Sequence, residues 1–330
     1  MFKGKKIGVV VPAYNEEKLI SKVIDNMPSY VDYIIAVDDA SNDNTFKILE
    51  ELKEKENNRL IVIKHTTNKG VGASIITGYN KALALDLDIV AVMAGDGQMN
   101  PEELKDIINP IAIEECDYTK GNRLFSGEAW KMIPKLRYIG NAFLSLLTKI
   151  ASGYWHIADS QAGFTAISKK ALKTLRLERL YPRYGYPNHL LVKLNVYNFK
   201  VKDIPVTPIY NVGEKSSMKI YKIIPTISWL LLKGFFWRIT QKYIIRDFHP
   251  LVFFYFFGLF LFPFGVLWGA FIIFSRIFVY HITSHPDIIN FCKTFSTQAA
   301  LFFDGFITVA GLQMLLFAMW FDMEYNKELK

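Results

Sequence analysis

One carboxylate, Asp96, stands between two glycines in GDGQ (Gly95–Gln98), directly after an apolar run. Glycine lets the backbone approach a ligand closely, whereas a plain turn would be served by Asn or Ser. A lone carboxylate with an amide oxygen two residues on suits a hard divalent cation. Mg2+ or Mn2+ typically takes one or two oxygens from protein and completes its shell with phosphate and water. Three further polar clusters precede it: PAYNEE (Pro12–Glu17), DDASND (Asp38–Asp43) and NKGVG (Asn68–Gly72). Taken singly, these read as helix caps and turns. The chain has no G-x-G-x-x-G after its first apolar run and no G-x-x-x-x-G-K-[ST] loop. A phosphate ligand therefore needs another source of positive charge. A cation on Asp96 and Gln98 would supply it, and would hold a diphosphate.

Alternating strand and helix patterns position the four clusters. KIGVVVP, YIIAV (Tyr33–Val37), RLIVIKH and DIVAVM (Asp88–Met93) read as strands. Helices are predicted over Glu16–Met27, from Thr45 to Lys55, over Val71–Leu85 and through PEELKDIINPI, which Pro101 starts at its first position. Strands apolar on both faces, set between helices, predict an α/β fold whose mostly parallel sheet is covered on both sides. Ligands bind outside the carboxyl ends of such strands. Each cluster follows one strand, so all four fall on one edge of one sheet.

The 330 residues allow two domains, or one domain with an appendage. Two cysteines exclude a disulfide framework and a cysteine-based metal site. Lys3, Lys5 and Lys6 run into a strand-like IGVVVP rather than a signal h-region, which predicts a cytoplasmic start. Pro250–Ser275 carries no charge, and Thr297–Phe321 carries only Asp304. Both exceed the roughly 20 apolar residues a spanning helix needs. Lys219, Lys222, Lys233, Arg238, Lys242 and Arg246 precede the first span, against Arg276 and Lys293 between the two. The positive-inside bias puts the N-terminal region and the C-terminal tail in the cytoplasm, with Cys116 and Cys292 on opposite sides. Asp304 is placed near the outer interface, and His281 and His285, lacking a third ligand, in an ordinary outer loop. Met218–Asp247 mixes aromatic and basic residues, broken by Pro225 and Gly234. It reads as in-plane amphipathic helices on anionic lipid, or as a core helix packed on the soluble domain. Much of the net charge of +8 then has a membrane explanation, and no nucleic-acid partner is expected. The resulting division is 1–214, 215–248 and 249–330.

The order P-A-Y-N-E-E, V-D-D-A-S-N-D-N-T, N-K-G-V-G, G-D-G-Q resembles family 2 glycosyltransferases of the GT-A fold. With two C-terminal spans the chain is most similar to the polyprenol-phosphate sugar synthases, of the dolichol-phosphate mannose or glucose type. The resemblance runs over residues 5–220, most strongly to 165. It implies that Pro12, Ala13, Tyr14, Glu16, Asp39, Lys69 and Gly70 bind the nucleotide sugar. It places the metal, Mg2+ or Mn2+, on Asp96 and Gln98. It assigns the acceptor phosphate to Arg123, Arg137 and Asn141, and sets Asp159 of DSQAGF near the reacting sugar, to orient it or to assist deprotonation. Lys215, Ser216 and Lys219 would belong to a loop closing over the diphosphate. Two departures stand out: Ala94 replaces the first acid of the usual D-x-D, and no arginine precedes Gly213 in the closing loop.

The implied reaction is a single inverting displacement from a uridine or guanosine diphosphate sugar to a polyprenyl or dolichyl phosphate. A phosphate monoester with a second pKa of about 6 is largely a dianion at neutral pH, so no strong general base is needed. Alignment and charge stabilisation remain the enzyme's tasks. Other readings are a processive polysaccharide synthase, whose Q-x-x-R-W motif is absent, and a silent nucleotide-sugar-binding membrane protein, suggested by Ala94.

Overall fold

A computed structural model describes residues 1–56, 58–125, 135–209, 220–277, 286–295 and 297–330, with backbone alone for 136, 137, 220–222, 288, 291–293 and 295. These residues form two compact units, Met1–Arg238 with Lys327–Lys330, and Ile239–Asn326.

In the first unit the described strands are β1 (Ile7–Ala13), β2 (Tyr33–Asp38), β3 (Leu60–Lys64), β4 (Ile89–Val92), β5 (Tyr118–Asn122), β6 (Thr165–Ser168) and β7 (Val201–Pro205). They lie side by side in the order β3-β2-β1-β4-β6-β5-β7, and only β6 runs antiparallel to its neighbours. All seven residues of β1 are buried because both faces are covered. Val9, Val11, Ile34, Ala36 and Ala91 point to one face, against α1 (Ile20–Asp25), α2 (Thr45–Lys55) and α4 (Leu104–Ala112). Val10, Ile35, Val37, Val90 and Val92 point to the other, against α3 (Val71–Ala84), α6 (Lys169–Thr174) and α7 (Tyr186–Val196). This is the period-two alternation of a strand expressed as two cores. The α/β sheet expected from sequence is present.

Helix α3 lies tightly on β1: a Cβ at Gly78 would come 2.3 Å from Val10 Cγ1 and 2.7 Å from Val10 Cγ2. A buried valine cannot turn aside easily, because its χ1 is restricted. Gly78→Ala gains helix propensity of about 1 kcal/mol but overpacks the core at a cost of about 1–3 kcal/mol. Net destabilisation is expected, read as a lower urea midpoint.

Helix α5 (Lys135–Ser152) and α8 (Ile220–Arg238) complete this unit. The Arg238 guanidinium is buried and donates from Nε to Ala151 O at 2.9 Å and from Nη2 to Ile150 O at 3.1 Å. It thereby satisfies carbonyls left open at the end of α5. Gly153, at φ 76°, makes room for it, since a Cβ there would come 2.6 Å from Arg238 Nη1. Ile227, Leu231 and Phe235 of α8 are buried, whereas Trp229, Leu232 and Phe236 are exposed. Helix α5 likewise exposes Ile139, Phe143 and Leu146 at helical spacing. Of the two sequence readings of the α8 segment, the core helix packed on the soluble domain is present on one face, and the other face is an exposed apolar ridge.

The second unit comprises a π-helix (Ile239–Arg246), α9 (Leu251–Ile277), α10 (Pro286–Phe295) and α11 (Gln298–Tyr325). Helices α9 and α11 are long and apolar enough to cross a membrane, with mean hydropathies of 2.2 and 1.8. Only 17% and 6% of their most apolar windows are buried, which argues against soluble core helices. They meet through small residues: a Cβ at Gly265 would come 2.2 Å from Thr308 Oγ1, and one at Gly311 2.4 Å from Phe262 N. The Asp304 carboxylate faces α9 at Gly269, and its Oδ1 is buried with no hydrogen-bond partner among the described residues. Gly269 leaves space for the acid against the other long apolar helix. His281 and His285 lie outside the described residues.

Candidate active site

The loops after β1 and β2 are laced together. Asn15 N–H donates to Ser41 Oγ at 2.9 Å, Glu16 N–H to Thr45 Oγ1 at 2.8 Å and Glu17 N–H to Asp43 Oδ2 at 3.2 Å. In return, Asn42 N–H donates to Asn15 Oδ1 at 2.8 Å and Asn44 N–H to Glu17 Oε2 at 3.1 Å. These bonds tie the segment after β1 to the loop after β2, ahead of α1, which starts at Ile20 and not at Glu16. Pro12 and Ala13 end β1 buried, and Tyr14 stands 41% exposed beyond them, open to stack on a ligand.

Asp39 is buried and already heavily engaged. Its Oδ1 accepts Lys69 N–H at 2.9 Å, its Oδ2 accepts Gly70 N–H at 2.7 Å, and His65 Nδ1 lies 2.7 Å from Oδ1. His65 Nε2 is 3.0 Å from Thr77 Oγ1, which holds the ring against α3. Asp39 thus brings Lys69 and Gly70 to the sheet edge. Gly70, at φ 97°, is needed because a Cβ would strike Pro182 O at 2.8 Å. His65 was missed from sequence, although its place directly after the third strand was the available signal. His65→Ala removes the brace on Asp39 and is expected to raise donor KM about tenfold with kcat little changed, in steady-state kinetics, corresponding to roughly one lost buried hydrogen bond.

Asp96 and Gln98 follow β4 on a tight turn. Asp96 Oδ1 accepts Gln98 N–H at 3.1 Å, over Gly97 at φ 69°. Gly95 N–H donates to Pro12 O at 3.1 Å, and a Cβ there would come 3.0 Å from Ile20 Cδ1, so the turn lies against the end of β1. Among the described residues, no three His, Cys, Asp or Glu side chains group to hold a metal alone. The donors present, one carboxylate and one amide oxygen, fit a Mg2+ or Mn2+ whose remaining ligands are phosphate oxygens and water. Ala94, in place of the first acid, adds no side-chain oxygen; its N–H donates to Met99 Sδ at 3.3 Å.

The candidate acceptor residue Arg123 follows the end of β5. Arg123 grips Asp159 bidentately, Nε to Oδ2 at 2.7 Å and Nη2 to Oδ1 at 3.1 Å. Burial pushes the Asp159 carboxyl up, but the adjacent guanidinium outweighs it, and the group is held below the ordinary carboxylate range. Two charged strand residues that sequence reasoning passed over lie nearby, Lys120 buried and Asp203 half-buried. A small cavity of about 40 Å3 is lined by Gln98, Met99, Glu103, Arg123, Ala162 and Gly163, among others. Asn141 is half-buried on α5. The Arg137 side chain, and Lys215, Ser216 and Lys219 entirely, lie outside the described residues. A larger cavity of 580 Å3 opens at the opposite sheet edge, between Lys5 and Lys200. Its charges are paired with one another, as Lys5 with Glu114 at 2.9 Å and Lys170 with Asp117 at 3.7 Å, and it lies away from every motif.

This architecture is GT-A-like, and a family model described as Glycosyl transferase family 2 matches residues 8–176. The chain belongs to that family and is a glycosyltransferase. It is 38% identical over 218 residues to the UDP-N-acetylglucosamine--dolichyl-phosphate N-acetylglucosaminyltransferase of Methanococcus voltae, covering 62% of this chain and 86% of that one. It is 30% identical over 212 residues to a dolichol-phosphate mannosyltransferase of Pyrococcus furiosus, covering 61% and 56% respectively. Among solved structures it resembles glucosyl-3-phosphoglycerate synthase of Mycobacterium tuberculosis, in complex with Mn2+, UDP and glucosyl-3-phosphoglycerate. The TM-score is 0.50 at 19% identity, over 71% of this chain and 80% of the other, a likeness of fold.

Proposed function

We propose that the chain transfers a hexose or N-acetylhexosamine from a nucleotide-diphosphate sugar to a polyprenyl or dolichyl phosphate, with inversion. The observation that carries this reading is the cavity shared by Gln98, from the nucleotide side, and Arg123, beside the acceptor. The names of both curated relatives, each acting on a dolichyl phosphate, support the acceptor class.

In this reading a phosphate oxygen of the acceptor attacks the anomeric carbon. The bond to the diphosphate breaks, and the nucleoside diphosphate leaves with the electron pair. Pro12, Ala13, Tyr14, Glu16, Lys69 and Gly70 hold the nucleotide sugar, with Asp39 setting the loop that presents the last two. Arg123, Arg137 and Asn141 meet the acceptor phosphate, whose geometry a guanidinium fork matches. Asp159, kept ionised by Arg123, fixes that fork and faces the sugar. A Mg2+ or Mn2+ on Asp96 and Gln98 would supply Lewis-acid stabilisation of the leaving diphosphate. Lys215, Ser216 and Lys219 belong to the closing loop.

The lipid acceptor explains the rest of the chain. Residues 1–214 form the cytoplasmic catalytic domain, 215–248 lie in the membrane surface, and 249–330 anchor the protein with two spans. The exposed ridges on α5 and α8 support this, since an apolar stripe with flanking lysines seats at the lipid headgroups. Membranes carrying the protein, given radiolabelled UDP-N-acetylglucosamine, UDP-glucose or GDP-mannose with a short polyprenyl phosphate, should yield label extractable into organic solvent, abolished by EDTA. Donor turnover that leaves no label in the lipid phase would overturn the acceptor assignment.

A further inference from the structure

Two charged side chains, one buried and one half-buried, lie beside the site without a part in the transfer as proposed. Lys120 on β5 has no exposed surface, and Asp203 is its register partner across the parallel β5–β7 pair. Residues paired in this way project from the same face of a sheet. Asn122 shares that face, and its Nδ2 donates to Asp203 Oδ2 at 3.2 Å. Both charges reach one loop: Asp203 Oδ2 accepts Ala158 N–H at 2.7 Å, and Lys120 Nζ donates to the Ala162 carbonyl. Asp159 lies between these two anchors, with its carboxylate in the fork of Arg123.

We propose that Lys120 and Asp203 are positioning residues that clamp the 158–162 loop and so set Asp159 and Arg123 for transfer, and that the clamp holds only while both are charged. This rests on the reading of Arg123 as the acceptor-phosphate residue. Charge-assisted hydrogen bonds are roughly twice as strong as neutral ones. A neutral Lys120 also leaves the repulsion between the Asp159 and Asp203 carboxylates less compensated. The charged groups facing Lys120 are Asp159 from the loop, Asp203 from β7 and Arg123 from the turn after β5. Lys149 of α5 also acts on Asp203. Tyr118, on the same face of β5, stays neutral because burial raises its phenol.

Burial lowers Lys120 to about 8, against the pull of the two carboxylates. Burial raises Asp203 to about 6. Lys120 therefore loses its charge as pH rises through about 8, and Asp203 loses its own as pH falls through about 6. The acidic side overlaps the second ionisation of the acceptor phosphate at about 6, so the basic side is the diagnostic one.

The test joins a rate to a measurement that needs no substrate. Transfer to a short polyprenyl phosphate is followed from about pH 6.5 to about 9.5 for the wild type, Lys120→Arg and Lys120→Met. Hydrogen exchange of residues 157–163 in the full-length protein is followed over the same range and corrected for intrinsic rates. In the wild type, kcat should fall about tenfold per pH unit above about pH 8, with donor KM unchanged, and protection should fall in parallel. Lys120→Arg, charged throughout, should show neither fall, and Lys120→Met should show weak protection at every pH. Equal wild-type protection on both sides of pH 8, or an unshifted basic limb in Lys120→Arg, overturns the clamp. If neither variant folds, the wild-type exchange profile decides alone. Protection lost above pH 8 with no transfer to any polyprenyl phosphate would sustain the clamp and overturn the functional reading.

Discussion

Asp96→Asn is expected to lower kcat by about 10^2 to 10^3, equivalent to about 3–4 kcal/mol of transition-state stabilisation. Asparagine is the right substitution because its side-chain oxygen can still accept the Gln98 N–H that Asp96 Oδ1 now takes at 3.1 Å. The turn over Gly97 is thereby kept, and only the negative charge is lost. With a single carboxylate in the donor set and Ala94 beside it, no second acid in the turn compensates. The defect should appear in kcat with both substrates saturating, and high Mn2+ should recover part of it. An Asp96→Asn enzyme with wild-type kcat after EDTA treatment would remove the metal from the account.

Arg123→Ala is expected to abolish transfer and also to destabilise the fold by about 3–5 kcal/mol, because it strips the partner from a buried carboxylate. Asp159 is only 2% exposed, so it cannot turn to water instead. The two effects separate in a double substitution. Arg123→Ala with Asp159→Asn removes the stranded charge and should regain part of the lost stability in a denaturant titration, the signature of coupled neighbours. It should regain no transfer, since the positive fork for the acceptor phosphate is still missing. Activity returning along with stability would make Arg123 a purely structural partner of Asp159.

Much of the sheet is legible in the amino-acid order, and the reason is local. β1, β2, β3 and β4 are short apolar runs between helices, and a parallel strand covered on both faces must look like that. Their carboxyl ends gather PAYNEE, DDASND, NKGVG and GDGQ without any knowledge of tertiary packing. β6 is different. Four residues, TAIS, enter antiparallel between β4 and β5, and nothing in so short a run announces its neighbours or its direction. The bonds from Asn15, Glu16 and Glu17 were equally hidden, because their partners Ser41, Thr45 and Asp43 lie a loop away.

The same contrast runs through the site. Asp96 and Arg123 show their character in their own short stretches, by flanking glycines and by following a strand. Asp39 does not: only the fold reveals that its carboxylate is committed to Lys69, Gly70 and His65. Lys120 and Asp203 pair across strands separated by most of the domain's later half, and each alone looks like an ordinary edge charge. Long-range electrostatic partnerships leave no periodic trace in a chain, whereas apolar patterning does.

The Arg238 cap on α5 has a bearing on biosynthesis. The carbonyls of Ile150 and Ala151 receive their donors from a residue made long after them, and made last before the unit that carries the two long apolar helices begins. During translation α5 is therefore expected to end frayed until Arg238 clears the ribosome. By then the first long apolar segment is following it through the exit tunnel, so the helix that carries Asn141 would mature only as that segment emerges.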